Sequence, residues 1–172
     1  MNRKSRISER LVAVVLATGP LSGVAPVVAT AHAAVPVAVA PAQGVIKQRS
    51  DHGFDRTLAL LKADIAAKNI RLFGEIDHQM LGASANLSIG RSTLLLFGNP
   101  PLGVQFLQAN PLAGLDWPVR MLVTEDKDGT VWISWSDFRF VADRYQLKDR
   151  EAQIGMASDV AASIASAARK PK

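Results

Sequence analysis

The sequence contains no cysteine. Disulfides, thiolate metal sites, cysteine nucleophiles and cysteine lipidation are therefore excluded. Histidine is scarce as well, limited to His32, His52 and His78, with neither HxH nor HExxH spacing. A metal would have to be held by these and carboxylates, and two or three scattered histidines do not make a metal motif, so no metal site is assigned. No serine lies in a Gly-x-Ser-x-Gly elbow, and Ser134 and Ser136, interleaved with Trp132 and Trp135, read as one strand of a sheet. A charge of one sign is missing too. The formal +5 comes mostly from residues 1–33, where Arg3, Lys4, Arg6 and Arg10 face Glu9 alone, and residues 34–172 hold 16 basic and 14 acidic groups. A chain so nearly balanced has little electrostatic reason to bind a phosphate backbone, and no nucleic-acid partner is expected.

Nor is there a long unbroken hydrophobic run. Leu11–Leu16 opens an apolar stretch, but Gly19, Pro20, Gly23 and Pro26 interrupt it before Val28. Four basic residues ahead of it and Ala31-His32-Ala33 behind it complete the three parts of a secretory signal, with cleavage expected after Ala33. The interruptions argue against a permanent membrane anchor. The absence of an Arg-Arg pair favours the general secretory route, and the expected destination is the periplasm or the medium. Residues 34–44, AVPVAVAPAQG, read as an extended linker because Pro36 and Pro41 disfavour a helix. One domain is expected over residues 45–172, a length that suits a single core.

Within that domain the hydrophobic period changes several times. Val45–Arg49 reads as a short strand. Phe54, Leu58, Leu61 and Ile65 recur at helical spacing, with Asp51 or Gly53 as the cap at the start and Asn69 as a left-handed stop. Residues 70–78 alternate as a strand that would carry His78 near its end, and Gly82–Gly90 reads as a loop. Thr93–Phe97 is continuously apolar, which predicts a central strand covered on both faces. A short helix is expected over Leu102–Gln108. Val119–Glu125 and Val131–Trp135 flank Lys127-Asp128-Gly129 as a hairpin. Helices over Phe138–Leu147 and Asp149–Arg169 close the chain, the last with Ile154, Ala157, Val160 or Ala161, Ile164 and Ala168 as its inner stripe. The order β-α-β-β-α-β-β-α predicts an α+β fold of two layers, a mixed β-sheet packed by helices.

The stretch LLLFGNPPLG, Leu94–Gly103, raises the question of a phosphate loop. Such a loop needs consecutive backbone N–H groups aimed at one point. Pro100 and Pro101 remove two of them, and no GK[ST] follows. A strand-to-helix corner is the better reading, with Asn99 as cap and proline in the first turn.

This corner, together with Ile76-Asp77-His78, Gly82-Ala83, Gly114-Leu115-Asp116-Trp117-Pro118 and Val123-Thr124-Glu125-Asp126 followed by Gly129, resembles the family called domain of unknown function 302 over about residues 45–150. The resemblance implies a compact α+β domain that forms dimers, and it implies no established reaction. His78 matches the family's aspartate–histidine pair. Asn69 stands where glycine is usual, and Tyr145 where a histidine is expected.

Three residues emerge as candidates for ligand binding: His78, Arg120 and Asn99. His78 is the one group suited to act as a base, with Asp77, Glu75 or a distant carboxylate to orient it. Arg120, on a strand expected to be buried, needs a partner, and Asp116 is one possibility. The function expected is that of an exported accessory module that self-associates as a homodimer and takes a small ligand. The alternatives are a hydrolase or isomerase using His78 with a carboxylate, and a metal or redox accessory protein. No cofactor is indicated, and the balance leans away from an enzyme.

Overall fold

The computed structural model describes residues 43–170. The expected secretory signal, the expected cleavage point after Ala33 and most of the linker expected over 34–44 lie outside the described residues. Five strands and five helices follow one another as β1 (Val45–Arg49), α1 (Phe54–Ala67), β2 (Arg71–Asp77), α2 (His78–Ser84), β3 (Ser92–Gly98), α3 (Pro100–Ala109), β4 (Val119–Glu125), β5 (Val131–Ser136), α4 (Phe138–Tyr145) and α5 (Glu151–Ser166). A 3-10 helix over Pro111–Asp116 links α3 to β4.

The strands form one sheet in the order β1-β5-β4-β3-β2. Every ladder among the described residues is antiparallel, so the α+β layering holds while the sheet is not mixed. β4 occupies the middle, with β3 inside the sheet beside it. Along β3, Thr93, Leu95 and Phe97 are buried under the helices, whereas Leu94 and Leu96 are half-buried on the opposite face. An unbroken apolar run was expected to be covered on both faces; here the second face is open and only half sheltered by its own cross-strand neighbours Ile76 and Leu122.

The core is made where α1 and α5 cover the inner face. Leu61, Ile65, Met121, Val123, Ile133 and Ile164 are all sealed from solvent. α1 carries the expected stripe, starts at Gly53 without a side-chain cap, and stops at Asn69, whose φ of 54° is the left-handed conformation asparagine tolerates. α5 buries Ala157, Ala161, Ile164 and Ala165, so Ala161 belongs to the inner stripe while Val160 is half-exposed beside it. α5 packs against α1, α3 and α4. The buried hydroxyls of Ser50 and Thr57 satisfy each other through a 2.6 Å hydrogen bond.

Two local differences change where candidate residues lie. α2 was expected as the end of a strand and a loop. The Asp77 carboxylate accepts the Met80 backbone N–H at 3.1 Å, which caps a new helix and takes His78 out of the strand. α2 buries none of its residues, so it has no apolar stripe for a sequence pattern to reveal. Second, Arg120 is exposed on β4, on the open face opposite Leu96, and is not in a buried position.

Candidate functional site

The Leu94–Gly103 stretch leads directly to the site. β3 ends at Gly98, Asn99 is the N-cap of α3, and Pro100 and Pro101 occupy its first turn. The N–H groups of Leu102 and Gly103 both donate to the Asn99 carbonyl, at 3.1 and 2.9 Å. The helix start therefore has prolines in its first two positions and engaged amides in the next two. It offers no cradle of free donors. The Asn99 side chain makes no capping hydrogen bond and remains exposed.

The glycines serve a steric purpose. A Cβ placed on Gly103 would lie 1.9 Å from the Trp117 indole nitrogen, and one on Gly98 would lie 3.2 Å from the same ring. The Trp117 side chain thus lies across both glycines. Its ring also meets Phe73 edge-on, with centroids 5.6 Å apart.

Beside Trp117 a cavity of about 320 Å³ opens between the inner face of the sheet, α3 and α5. Phe97, Phe106, Trp117 and Phe138 give it aromatic walls, and Leu102 and Val160 give it aliphatic ones. Its two polar side chains, Lys68 and Asn99, are both exposed, which places them at its opening. Lys68 Nζ pairs with Asp64 Oδ2 at 2.5 Å, one turn back on α1. A second, shallower groove of about 400 Å³ runs on between α3 and α5, sharing Asn99, Leu102 and Val160 with the cavity and reaching Met156 and Asp159. A pocket of a few hundred Å³ with apolar walls and few polar groups is the usual form of a small-molecule site. A larger cleft of about 740 Å³ between α4 and α5 is edged by exposed Arg139, Asp143, Lys148 and Glu151, and is open to solvent.

The three candidates do not converge on one pocket. Asn99 lines the cavity. His78 lines none of these cavities; it is half-buried at the start of α2, with Nδ1 3.0 Å from Ser92 Oγ. The nearby carboxylates are engaged elsewhere, Asp77 with the Met80 N–H and Glu75 with Lys62 Nζ at 2.8 Å. Arg120 does pair with Asp116. The Asp116 side chain is only 6% exposed and also accepts from Tyr145 Oη at 2.7 Å and from Arg144 at 3.4 Å. This cluster ties the 3-10 helix to β4 and α4, and Tyr145, in the place of the expected histidine, is one of its anchors. His52 borders an open polar cleft with Arg49, Asp51 and Lys170. Among the described residues no three His, Asp or Glu side chains gather as metal ligands.

Sequence reasoning did not find Lys68, Phe106, Trp117 or Val160 as cavity residues. They come from four separate segments, so no local spacing joins them. The one available signal was the Gly98 and Gly103 pair, whose close approach to a bulky ring marks the wall.

Fold and cavity together define a small two-layer α+β module that closes an apolar pocket between its sheet and helices. The chain belongs to the family described as Domain of unknown function DUF302, whose model matches residues 46–170. A solved relative is similar in fold: the crystal structure of an uncharacterized conserved DUF302 protein from Bacillus stearothermophilus has a TM-score of 0.68, at 15% identity, over 74% of this chain and all of that one. Among curated proteins, the fluoride-specific ion channel FluC 1 of Brucella suis biovar 1 is 31% identical over 130 residues, covering 76% of this chain and 48% of the channel. FluC 2 of Brucella melitensis biotype 1 is also 31% identical, over 46% of its length. The chain spans about half the length of these curated relatives. No helix among its described residues is long and apolar enough to cross a membrane.

Proposed function

We propose that this chain is an exported DUF302 module that holds a small, mainly apolar molecule in the cavity beneath the Gly98–Gly103 corner. The observation that carries the proposal is the cavity itself, about 320 Å³ with four aromatic walls beside the Gly98–Gly103 corner. The engagement of Asp77 and Glu75 with other partners favours binding over histidine-based catalysis, because His78 then lacks a carboxylate to orient it. Export is supported by the basic, apolar and small-residue segments of residues 1–33. Self-association as a homodimer is supported by exposed Leu72, Phe73, Met80, Leu81 and Leu87 along β2, α2 and the turn that follows.

Thermal-shift screening of the purified protein against apolar metabolites tests the binding, with His78→Ala and Val160→Trp as variants. A stabilising compound is expected to act equally on the His78→Ala protein and to lose its effect when Val160→Trp fills the cavity. Loss of the effect in His78→Ala alone would overturn the assignment. Mass spectrometry of the exported protein is expected to find Ala34 as its first residue, and light scattering is expected to report twice the chain mass.

A further inference from the structure

We infer that the ligand of the cavity is a medium-length aliphatic chain ending in a carboxylate, an inference that rests on the cavity being the binding site. Three features point the same way. The cavity has a neighbour. Asn99, Leu102 and Val160 line both it and the groove between α3 and α5, so the two apolar spaces adjoin. A disc-shaped ligand would use only the first part; a chain too long for it can extend along the second.

Size sets the length. At about 30 Å³ for a group the size of a water molecule, the inner cavity takes about ten such groups, and a methylene is of that order. About ten carbons fill the cavity, and longer chains reach the groove beside Met156.

Charge sets the head group. Lys68 is the single ionisable residue among those lining the inner cavity, and it stands at the opening. Asp159 is the single ionisable residue lining the outer groove. An anionic head is attracted at the Lys68 end and repelled at the Asp159 end, which orients the chain with its tail along α3 and α5. The Asp64 partner of Lys68 does not block this role. The pair is partly exposed, so it is weakly held and the ammonium can share a second carboxylate. A cationic head on a chain whose tail fills the inner cavity would lie against Lys68 and be repelled.

Calorimetric titration of the purified chain with octanoate, decanoate and dodecanoate, all below their micellar concentrations, tests the inference. Decanoate is expected to bind at one site and to bind about tenfold more tightly than octanoate, as two further buried methylenes require. Lys68→Met is expected to weaken decanoate severalfold and leave decanol unchanged, and Val160→Trp to abolish both. In the unaltered chain, decanoate is expected to shift amide resonances of Phe97–Phe106 and Ala157–Ala161, a readout that needs no variant to fold. No saturable binding, equal binding of decyltrimethylammonium, or resonance shifts confined to other segments would overturn it. If decanoate fails while another compound stabilises the protein and is lost in Val160→Trp, the cavity remains the binding site and only the aliphatic carboxylate is refuted.

Discussion

At the scale of single residues, the tightest constraint is the contact of Trp117 with two glycines. Gly103 is buried on α3, and even one methyl group there would overlap the indole. Gly103→Ala must push the ring aside or shift the helix, and overpacking of this kind costs about 1–3 kcal/mol. Gly98→Ala has more room and should cost less. Urea denaturation of the two variants measures the order. A second residue ties the turn after α5 to the loop after β1. The Asp51 carboxylate accepts the Lys170 backbone N–H and the Arg169 guanidinium, each at 3.0 Å. The Lys170 N–H first, and the Arg169 charge after the opposing effect of burial, hold its pKa below the usual 3.8. A lowered carboxylate pKa stabilises the fold above the unfolded value, and that contribution is lost as pH falls through the lowered folded value. The Asp51 carboxyl resonance is therefore expected to titrate below pH 3.8, and in Asp51→Asn the amides of residues 168–170 should exchange faster at neutral pH.

At the scale of elements, legibility followed burial. α1 and α5 showed themselves in the sequence because a covering layer demands a stripe, and Leu61, Ile65, Ala161 and Ile164 supply it. The β4–β5 hairpin was legible because Gly129, at φ 80°, meets the need of its tight turn for a left-handed residue. α2 was not legible. It is held by the cap from Asp77, the His78–Ser92 hydrogen bond and its place at the end of β2, and it buries nothing that periodicity could report. The same fact predicts its tolerance. Leu81, exposed on α2, should accept serine with a change in stability within about 0.5 kcal/mol, measured by thermal denaturation. A larger loss would mean that α2 is covered in solution by something the single chain does not supply, as the dimer proposal requires if α2 lies in its interface. Arg120 was misplaced for a related reason: a strand residue's parity gives its face only once the covered face is known, and β4 turns it outward.

At the scale of the whole molecule, the layered arrangement explains why the function was harder to read than the fold. The strands and helices answer to local periods, while the cavity exists only where α3, α5, the end of β3 and Trp117 meet. Asn99 was the single candidate that the fold brought to that meeting point; His78 and Arg120 went to α2 and to the open face. In this chain the Gly98–Gly103 corner thus forms one wall of an apolar cavity of about 320 Å³. The measurement that tests this account most directly is chemical-shift mapping of the isotope-labelled protein during titration with decanoate or with a screened apolar compound. The account predicts that perturbed amides cluster at Phe97–Phe106, Trp117 and Ala157–Ala161. Perturbations centred instead on His78 and Ser92, with those segments unmoved, would contradict it.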